Sequence, residues 1–389
     1  MKIQVIPNNK KEVMTMKKLS LLLAILTVLS LVFALSSCGP ATATDENGCE
    51  YTFDNSNGIY VLTSTANCTA SDVTIPAKLE DFPVKIGVGA FESGTTIKTL
   101  TLEAGVTADA GSFKSSSIKK IVLPNGFEMK GELFLDSKAL EEVVFPSDMK
   151  KIPYGLFKGC SALKEVTIPE GIEYFDAIFE GCTSLEKLTL PSTLTSIGGG
   201  AFKNLTSLKE VHISDLKAWC AMDFTDNGRL SSDNNPFFTR ASLYINGKLV
   251  EDLVIPEGVT VIKAGVFNGA SGIKTLTVPA SVKKIEAYAF AGCSDLEEIS
   301  LTNGLEEIAH NVFAVTAIKT LTIPASVEYV GESVVVECEN LQTVYFSSTS
   351  NWSTWMYSHN EPVDVSNPQA NAELMKSYDN YHYQKNAQN

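Results

Sequence analysis

The sequence is short of the groups that do chemistry. Its 389 residues include four histidines, His212, His310, His359 and His382, and none stands at a metal-ligand spacing. No cysteine spacing resembles a zinc site. The three glycines at 198–200 lack the lysine that a phosphate loop needs, and read as a tight turn before Phe202. No run of like charge is long enough to make a tail. The net charge is −14, which argues against nucleic-acid backbones and anionic lipid surfaces as ligands. No cofactor and no metal are expected.

What the sequence has instead is a repeat. Short strand-like runs close on an apolar residue at Ile75, Leu102, Leu123, Phe145, Ile168, Leu190 and Ile213, and again at Ile255, Val278, Leu301, Ile323 and Phe346. Most successive positions lie 22 or 23 residues apart, and one gap, after Ile213, is 42. A second column keeps the same phase: Phe91, Phe113, Phe134, Phe157, Phe179, Phe202, Phe267, Phe290 and Phe313, with Val335 last. The unit reads L-x-x-L-x-L-P-x-x-L-x-x-I-x-x-x-A-F-x-G-C, with substitutions. Its L-x-x-L-x-L part is a strand with alternate residues inward. Proline follows where the strand ends and no ladder donor is needed. A single unit cannot bury its own apolar edge, so the units must stack.

This phrase resembles the leucine-rich repeats of the BspA-like bacterial surface proteins, over about Asp72 to Ser347. The resemblance implies a curved solenoid with a parallel β-sheet face and about twelve coils. It also implies secretion or surface attachment and a role in adhesion. It implies no catalytic residues, so none is carried over.

The flanks are read separately. Residues 17–38, "KKLSLLLAILTVLSLVFALSSC", form a secretory signal. The L-S-S-C ending resembles a bacterial lipobox with Cys38 as the lipidated residue, and translation from Met16 would place the lysines at the start. The competing reading is a membrane anchor over Leu19 to Leu35. The expected division is a signal peptide over 1–37, a lipidated tether over 38–48 and a β-hairpin N-terminal cap over 49–71, built on Asn57-Gly58. The solenoid then covers 72–347, and an irregular C-terminal cap covers 348–389. The 42-residue gap is read as an insertion near 225–249, containing a hairpin from Leu243 to Val250 turned at Asn246-Gly247.

Candidate sites follow from this frame. Cys49 and Cys68 flank the cap hairpin and suit a disulfide. Cys160, Cys182, Cys293 and Cys338 each lie three residues past the phenylalanine column, in a column of small residues, and read as buried free thiols. His212 with Cys220 raises a nucleophile–base pair, but no orienting group can be named for it. "DFTDNGRLSSDN", from Asp223, faintly resembles a calcium loop but departs from it, with Thr225 where a ligand is expected and Asn234 where the bidentate glutamate belongs. The outward strand positions form two columns. The candidate ligand face on them is Lys187, Thr189, Glu210, His212, Thr275, Thr277, Glu298, Ser300, Thr320 and Thr322. Threonine is also simply a favourable exposed strand residue.

The function expected from all this is non-enzymatic. A monomeric, lipid-anchored envelope protein, facing the outer membrane or periplasm, would bind a protein or glycan partner through the outward strand face. The alternatives are a self-associating envelope component, or a hydrolase using the insertion.

Overall fold

The computed structural model describes residues 41–91, 95–226, 229–348, 352–356, 359–376 and 382–385. The signal segment and Cys38 lie outside the described residues, as do the side chains of His359 and His382.

The chain winds into a β-solenoid of about twelve turns. Each coil begins with the repeat's strand, and successive strands pair in parallel. Glu165–Thr167 pairs with Lys187–Thr189, which pairs with Glu210–Ile213. Farther along, Asp252–Val254, Thr275–Val278 and Glu298–Leu301 form a second run. Register holds one residue type against its counterpart: Val73 faces Leu100, Leu188 faces Val211, and Leu276 faces Ile299. A slip of one residue would turn this inward column to solvent. Leu100, Ile121, Leu188, Val211, Leu253 and Leu321 are all fully buried.

Proline then opens the return. It has no N–H to give the ladder, but its carbonyl closes a turn by accepting from the residue three on, as Pro279 does from Val282 at 3.1 Å and Pro324 from Val327 at 3.1 Å. A second parallel ladder follows, including Tyr174–Asp176 on Ser196–Gly198, and Val261–Ile262 on Lys284–Ile285 on Glu307–Ile308. The arc carrying the phenylalanines is bonded between coils too: Phe157 N donates to Ile178 O and Phe290 N to Val312 O, both at 3.0 Å. The rings stack along the axis, from Phe91–Phe113 at 5.2 Å to Phe179–Phe202 at 6.1 Å, and again from Phe267 to Phe313. Among the three glycines at 198–200, Gly200 has a definite reason: it sits at φ +72°, a left-handed conformation that glycine adopts without strain.

The segment after Ile213 departs from the expected insertion. Ser242–Ile245 is a strand of the solenoid itself, parallel to Glu210–Ile213, with Leu243 opposite Val211 in the inward column. The 42-residue gap therefore contains a long variant coil. Its Leu216–Cys220 helix is capped by Asp215 and buries Trp219, whose indole donates to Val266 O at 3.0 Å. That bond ties the variant coil to the next arc, while Phe224 and Phe237 pack edge-on against the indole. The expected hairpin is present, with Asn246 and Gly247 at φ +50° and +77°, as a type I′ turn requires.

Both caps extend the second ladder. Glu50–Asp54 and Ile59–Ser64 form the N-terminal hairpin, and Ile59–Ser64 runs parallel to Phe82–Ile86. Thr42–Thr44, expected as tether, is a strand against Glu50–Asp54, so the folded cap begins earlier. Asp45 explains why: its carboxylate accepts from the N–H groups of Asn47 and Cys49 and from the Tyr51 hydroxyl. At the other end the expected irregular cap is regular. Trp352–Met356, His359–Val363 and His382–Lys385 form antiparallel strands joined to Tyr329–Val330, and the Pro368–Lys376 helix lies on the last main strand, Thr343–Phe346. Lys376 donates to Leu341 O at 3.2 Å.

Leu188 is fully buried, whereas Thr189 faces outward on the same strand. Leu188→Ala should lower stability by about 2–5 kcal/mol in urea denaturation, because neighbouring coils cannot collapse into the cavity. Thr189→Ala should cost less than about 0.5 kcal/mol, as surface substitutions do. Equal losses would invalidate the assignment of inward and outward faces.

Candidate functional site

The outward columns are laid down by the same register as the core. Lys187 stands between Glu165 and Glu210, and Thr189 between Thr167 and His212. Thr275, Thr277, Glu298 and Ser300 adjoin on the next run of strands, and Thr320 and Thr322 begin the last pair. The structure therefore brings the ten candidates onto one side of the coil, in three groups. It also shows how their charges are used. Lys187 lies 3.8 Å from Glu165, Glu210 meets the His212 ring at 2.8 Å, and Thr275 donates to Asp252 at 2.8 Å. The flanking column alternates in sign and pairs coil to coil: Lys119–Glu141, Lys209–Glu186, Lys274–Glu251 and Lys319–Glu297, at 2.6 to 3.1 Å. Hydrogen bonds from Lys119 and Lys319 hold the Glu141 and Glu297 carboxyls below their usual range, while Glu297 raises Lys319 and Glu251 raises Lys274. These pairs are exposed and individually weak.

The variant coil adds an aromatic and apolar cluster to a face on which the regular coils expose Val144, Val254 and Tyr345 singly. Tyr244 occupies the outward column next to His212, and the two rings stack at 4.5 Å with 16° between planes. Leu249 pairs opposite Tyr244 on the edge strand of this sheet and is 45% exposed; Val254, on the separate run of strands that follows, is 59% exposed. Between the two runs is an open groove of about 390 Å³, lined by Leu216, Ile245 and residues 248–254. Tyr244 and Leu249 were missed because their segment was taken for an insertion. The signal was present: "SLYI" has the inward Leu–Ile alternation of "TLTL" and "TLTI".

The in-register leucine ladders, the returning arc and the phenylalanine stack match a profile described as the BspA type leucine rich repeat region, over residues 63–177, 128–230 and 240–363. The chain belongs to the BspA-type leucine-rich repeat family. Among solved structures, it resembles a leucine-rich repeat protein from Bacteroides ovatus at 21% identity, covering 80% of this chain and 88% of that one with a TM-score of 0.46. A leucine rich cell surface protein from Faecalibacterium prausnitzii matches at 20% identity over 80% and 89%, with a TM-score of 0.40. The pneumococcal vaccine antigen PcpA matches at 20% over 80% and 82%, with a TM-score of 0.38. No curated protein matches significantly.

The cysteines of this BspA-type repeat hold the coils together. Cys160, Cys182 and Cys293 each donate their thiol to the carbonyl of the preceding coil's phenylalanine, Phe134, Phe157 and Phe267, at 3.1 Å. Cys338 does the same to Phe313 at 3.0 Å, and Ser137 replaces the thiol with a hydroxyl on Phe113 O. These four and Cys220 are free and buried. Cys49 and Cys68 form a disulfide within the N-terminal cap, with Cα atoms 5.2 Å apart. Burial pushes the Cys160, Cys220 and Cys293 thiols up to about 12. Cys220 therefore offers no accessible nucleophile, and His212 is engaged on the outward face. Within the loop from Asp223, Asn227 and Gly228 lie outside the described residues. Asn234 is buried with its oxygen on the Gly200 N–H at 2.8 Å, and Asp223 accepts from Thr225. Among the described residues no cluster of three or more His, Cys, Asp or Glu is placed to hold a metal.

These thiols give a pH prediction. The unfolded chain loses its thiol protons near about pH 8.5, whereas the folded values lie near 12. A raised folded value means that the stability is complete below about pH 8.5 and drains away as pH climbs towards 12. The thermal midpoint should fall across that window, and by less in Cys160→Ser or Cys293→Ser. Native protein at pH 9 should resist thiol alkylation at these positions; rapid labelling without unfolding would refute the burial.

Proposed function

We propose that this BspA-type chain is a lipid-anchored envelope protein that binds a macromolecular partner, protein or glycan, through the outward face of its main strands. The observation that carries this reading is the patch formed by His212, Tyr244, Leu249 and Val254, beside the groove at the hairpin. Elsewhere the face is largely hydroxyls, valines and paired charges, which supply area and exclude wrong partners. Interfaces concentrate their energy in a few aromatic and apolar anchors ringed by polar contacts, and this patch has that composition. A wide, shallow face suits a macromolecule, since small substrates need enclosed pockets. Leucine-rich repeat families typically bind other proteins, which supports a binding role for this face.

The test is partner capture from host and bacterial extracts, compared across variants. Tyr244→Ala and Leu249→Asp should each reduce capture about tenfold or more, with thermal midpoints near that of the wild type. Lys187→Glu should have a smaller effect. Capture that survives both patch variants but fails on substitutions in the second ladder would refute the strand-face reading. Saturable binding by monomer supports it, whereas concentration-dependent self-association would favour a structural role.

Attachment through Cys38 is part of the same proposal. Since the folded cap begins at Thr42, only residues 39–41 would separate a lipidated cysteine from the first strand, a reach of at most about 15 Å. The solenoid would then stand directly on its membrane. Among the described residues no helix is long and apolar enough to cross a membrane. Cys38→Ser should abolish metabolic lipid labelling and leave the precursor uncleaved; an unmodified N-terminus downstream of residue 38 in the wild type would contradict it.

A further inference from the structure

The main sheet is interrupted where the hairpin leaves it. One run of strands ends at Lys248–Leu249, and a separate run begins at Asp252–Val254. Ser242–Ile245 stays paired to Glu210–Ile213, and its first residue, Ser242, bridges the next coil at Ser271. Asp252–Val254 therefore has a coil on one side, Thr275–Val278, and the open groove on the other.

The regular coils show what belongs at this edge. In a parallel ladder a strand's alternate residues bond to opposite neighbours, so two positions of each main strand face the coil before it. At the first, the N–H donates: Glu210 to Glu186 O at 3.0 Å, and Thr275 to Glu251 O at 3.2 Å. At the second, the carbonyl accepts: His212 O from Leu190 N at 2.9 Å, and Thr277 O from Ile255 N at 3.0 Å. Asp252 and Val254 hold the same two positions, in register with Thr275 and Thr277. Among the described residues, the N–H and carbonyl groups of Asp252 and Val254 have no backbone partner. The hairpin has turned aside the strand that would have met them. A ladder edge therefore lies open inside the sheet, and not only at its ends. Its surroundings are apolar: Val254 and Leu249 are exposed, and half-buried Leu216 and Ile245 line the groove with them.

We propose that the partner docks here as an extended peptide, adding a strand to the Asp252–Val254 edge. Strand addition draws affinity from main-chain bonds and specificity from alternate side chains. A segment with apolar residues at alternate positions fits. Its backbone takes up the Asp252 and Val254 groups, and the side chains on one of its faces meet Leu249 and Val254. The inference rests on the strand-face reading and narrows the partner to a protein, because the groups left open are those of a strand ladder.

The experiment is site-resolved amide hydrogen exchange and NMR titration on the full chain. The probe is an acetylated, amidated peptide spanning Lys274 to Val278, the repeat's own strand sequence. In the free chain the Asp252 and Val254 amides should exchange at least about tenfold faster than that of Leu253, which faces the ladder. Saturating peptide should slow both about tenfold or more, and the same peptide N-methylated throughout should not bind. Val254→Pro removes an N–H that the ladder does not use, so the thermal midpoint should stay near that of the wild type. Peptide affinity should nevertheless fall about tenfold. The methylated-peptide comparison uses the unaltered chain, so it decides the matter should that variant unfold. The proposal is overturned if millimolar peptide protects neither amide, if the methylated peptide binds as tightly, or if folded Val254→Pro binds at wild-type affinity. Partner capture lost in Tyr244→Ala but kept in Val254→Pro would overturn it while leaving the strand-face reading intact. Capture kept in Tyr244→Ala but lost in Val254→Pro would support the edge against the aromatic patch.

Discussion

The structure depends on one constraint: each coil must return the chain to the position that lets its backbone bond to the coil before it. Three ladders impose this at once, through the main strands, the second strands and the phenylalanine arc. A buried N–H or C=O without a partner costs more than most side-chain contacts return. A coil may take up a residue in a turn between ladders, but one that shifted a ladder itself would strand such groups. The near-constant period of 22 or 23 residues is therefore a hydrogen-bonding requirement, and the apolar columns are its consequence. The thiol column serves the same end, giving the carbonyls of Phe134, Phe157, Phe267 and Phe313 a donor from the next coil.

The variant coil shows what is needed to break that period safely. It keeps the main strand, with Leu243 in the inward column, and keeps the link to the next arc by substituting an indole N–H for a backbone donor. Between these two fixed points the extra chain is free to take other shapes. A short α-helix and two 3-10 helical turns fill the space, each capped by a local side chain: Asp215, Ser231 and Asn235. Conservation of the ladder bonds, with irregularity confined between them, keeps the solenoid continuous across the break.

Much of this was legible from the residues. The period, the inward Leu–x–Leu alternation and the phenylalanine column are repeated many times, and repetition separates them from chance. The strand Ser242–Ile245 was hidden because its phase is set by a 32-residue coil, which no second example in the chain calibrates. The C-terminal strands were hidden for a different reason. They pair antiparallel with the second ladder and answer to tertiary contacts, such as Trp352 on Phe346, and not to the repeat. The tether was misjudged because Asp45 organises its turn through side-chain bonds that a hydropathy pattern does not register. Of the candidate site, the columns could be read in advance, but the stacking of His212 on Tyr244 could not. Those residues are 32 apart in sequence and meet only because the variant coil preserves register.

The ladders also limit where recognition can reside. A charge paired to the next coil, such as Lys274 with Glu251, is already satisfied, and a ligand that claims it must first compete with that partner. Exposed pairs are cheap to break, but they return little when replaced. Threonines on the face are similarly engaged, Thr320 with Thr343 and Thr275 with Asp252. Tyr244 and Leu249 of the variant coil instead present aromatic and apolar surface on this face. Regular coils pair many of the polar residues they expose with those of the next coil, which leaves fewer groups free for a ligand. The variant coil can change its exposed residues while its two fixed bonds are kept, and a solenoid that acquires a partner is expected to acquire it at such a break.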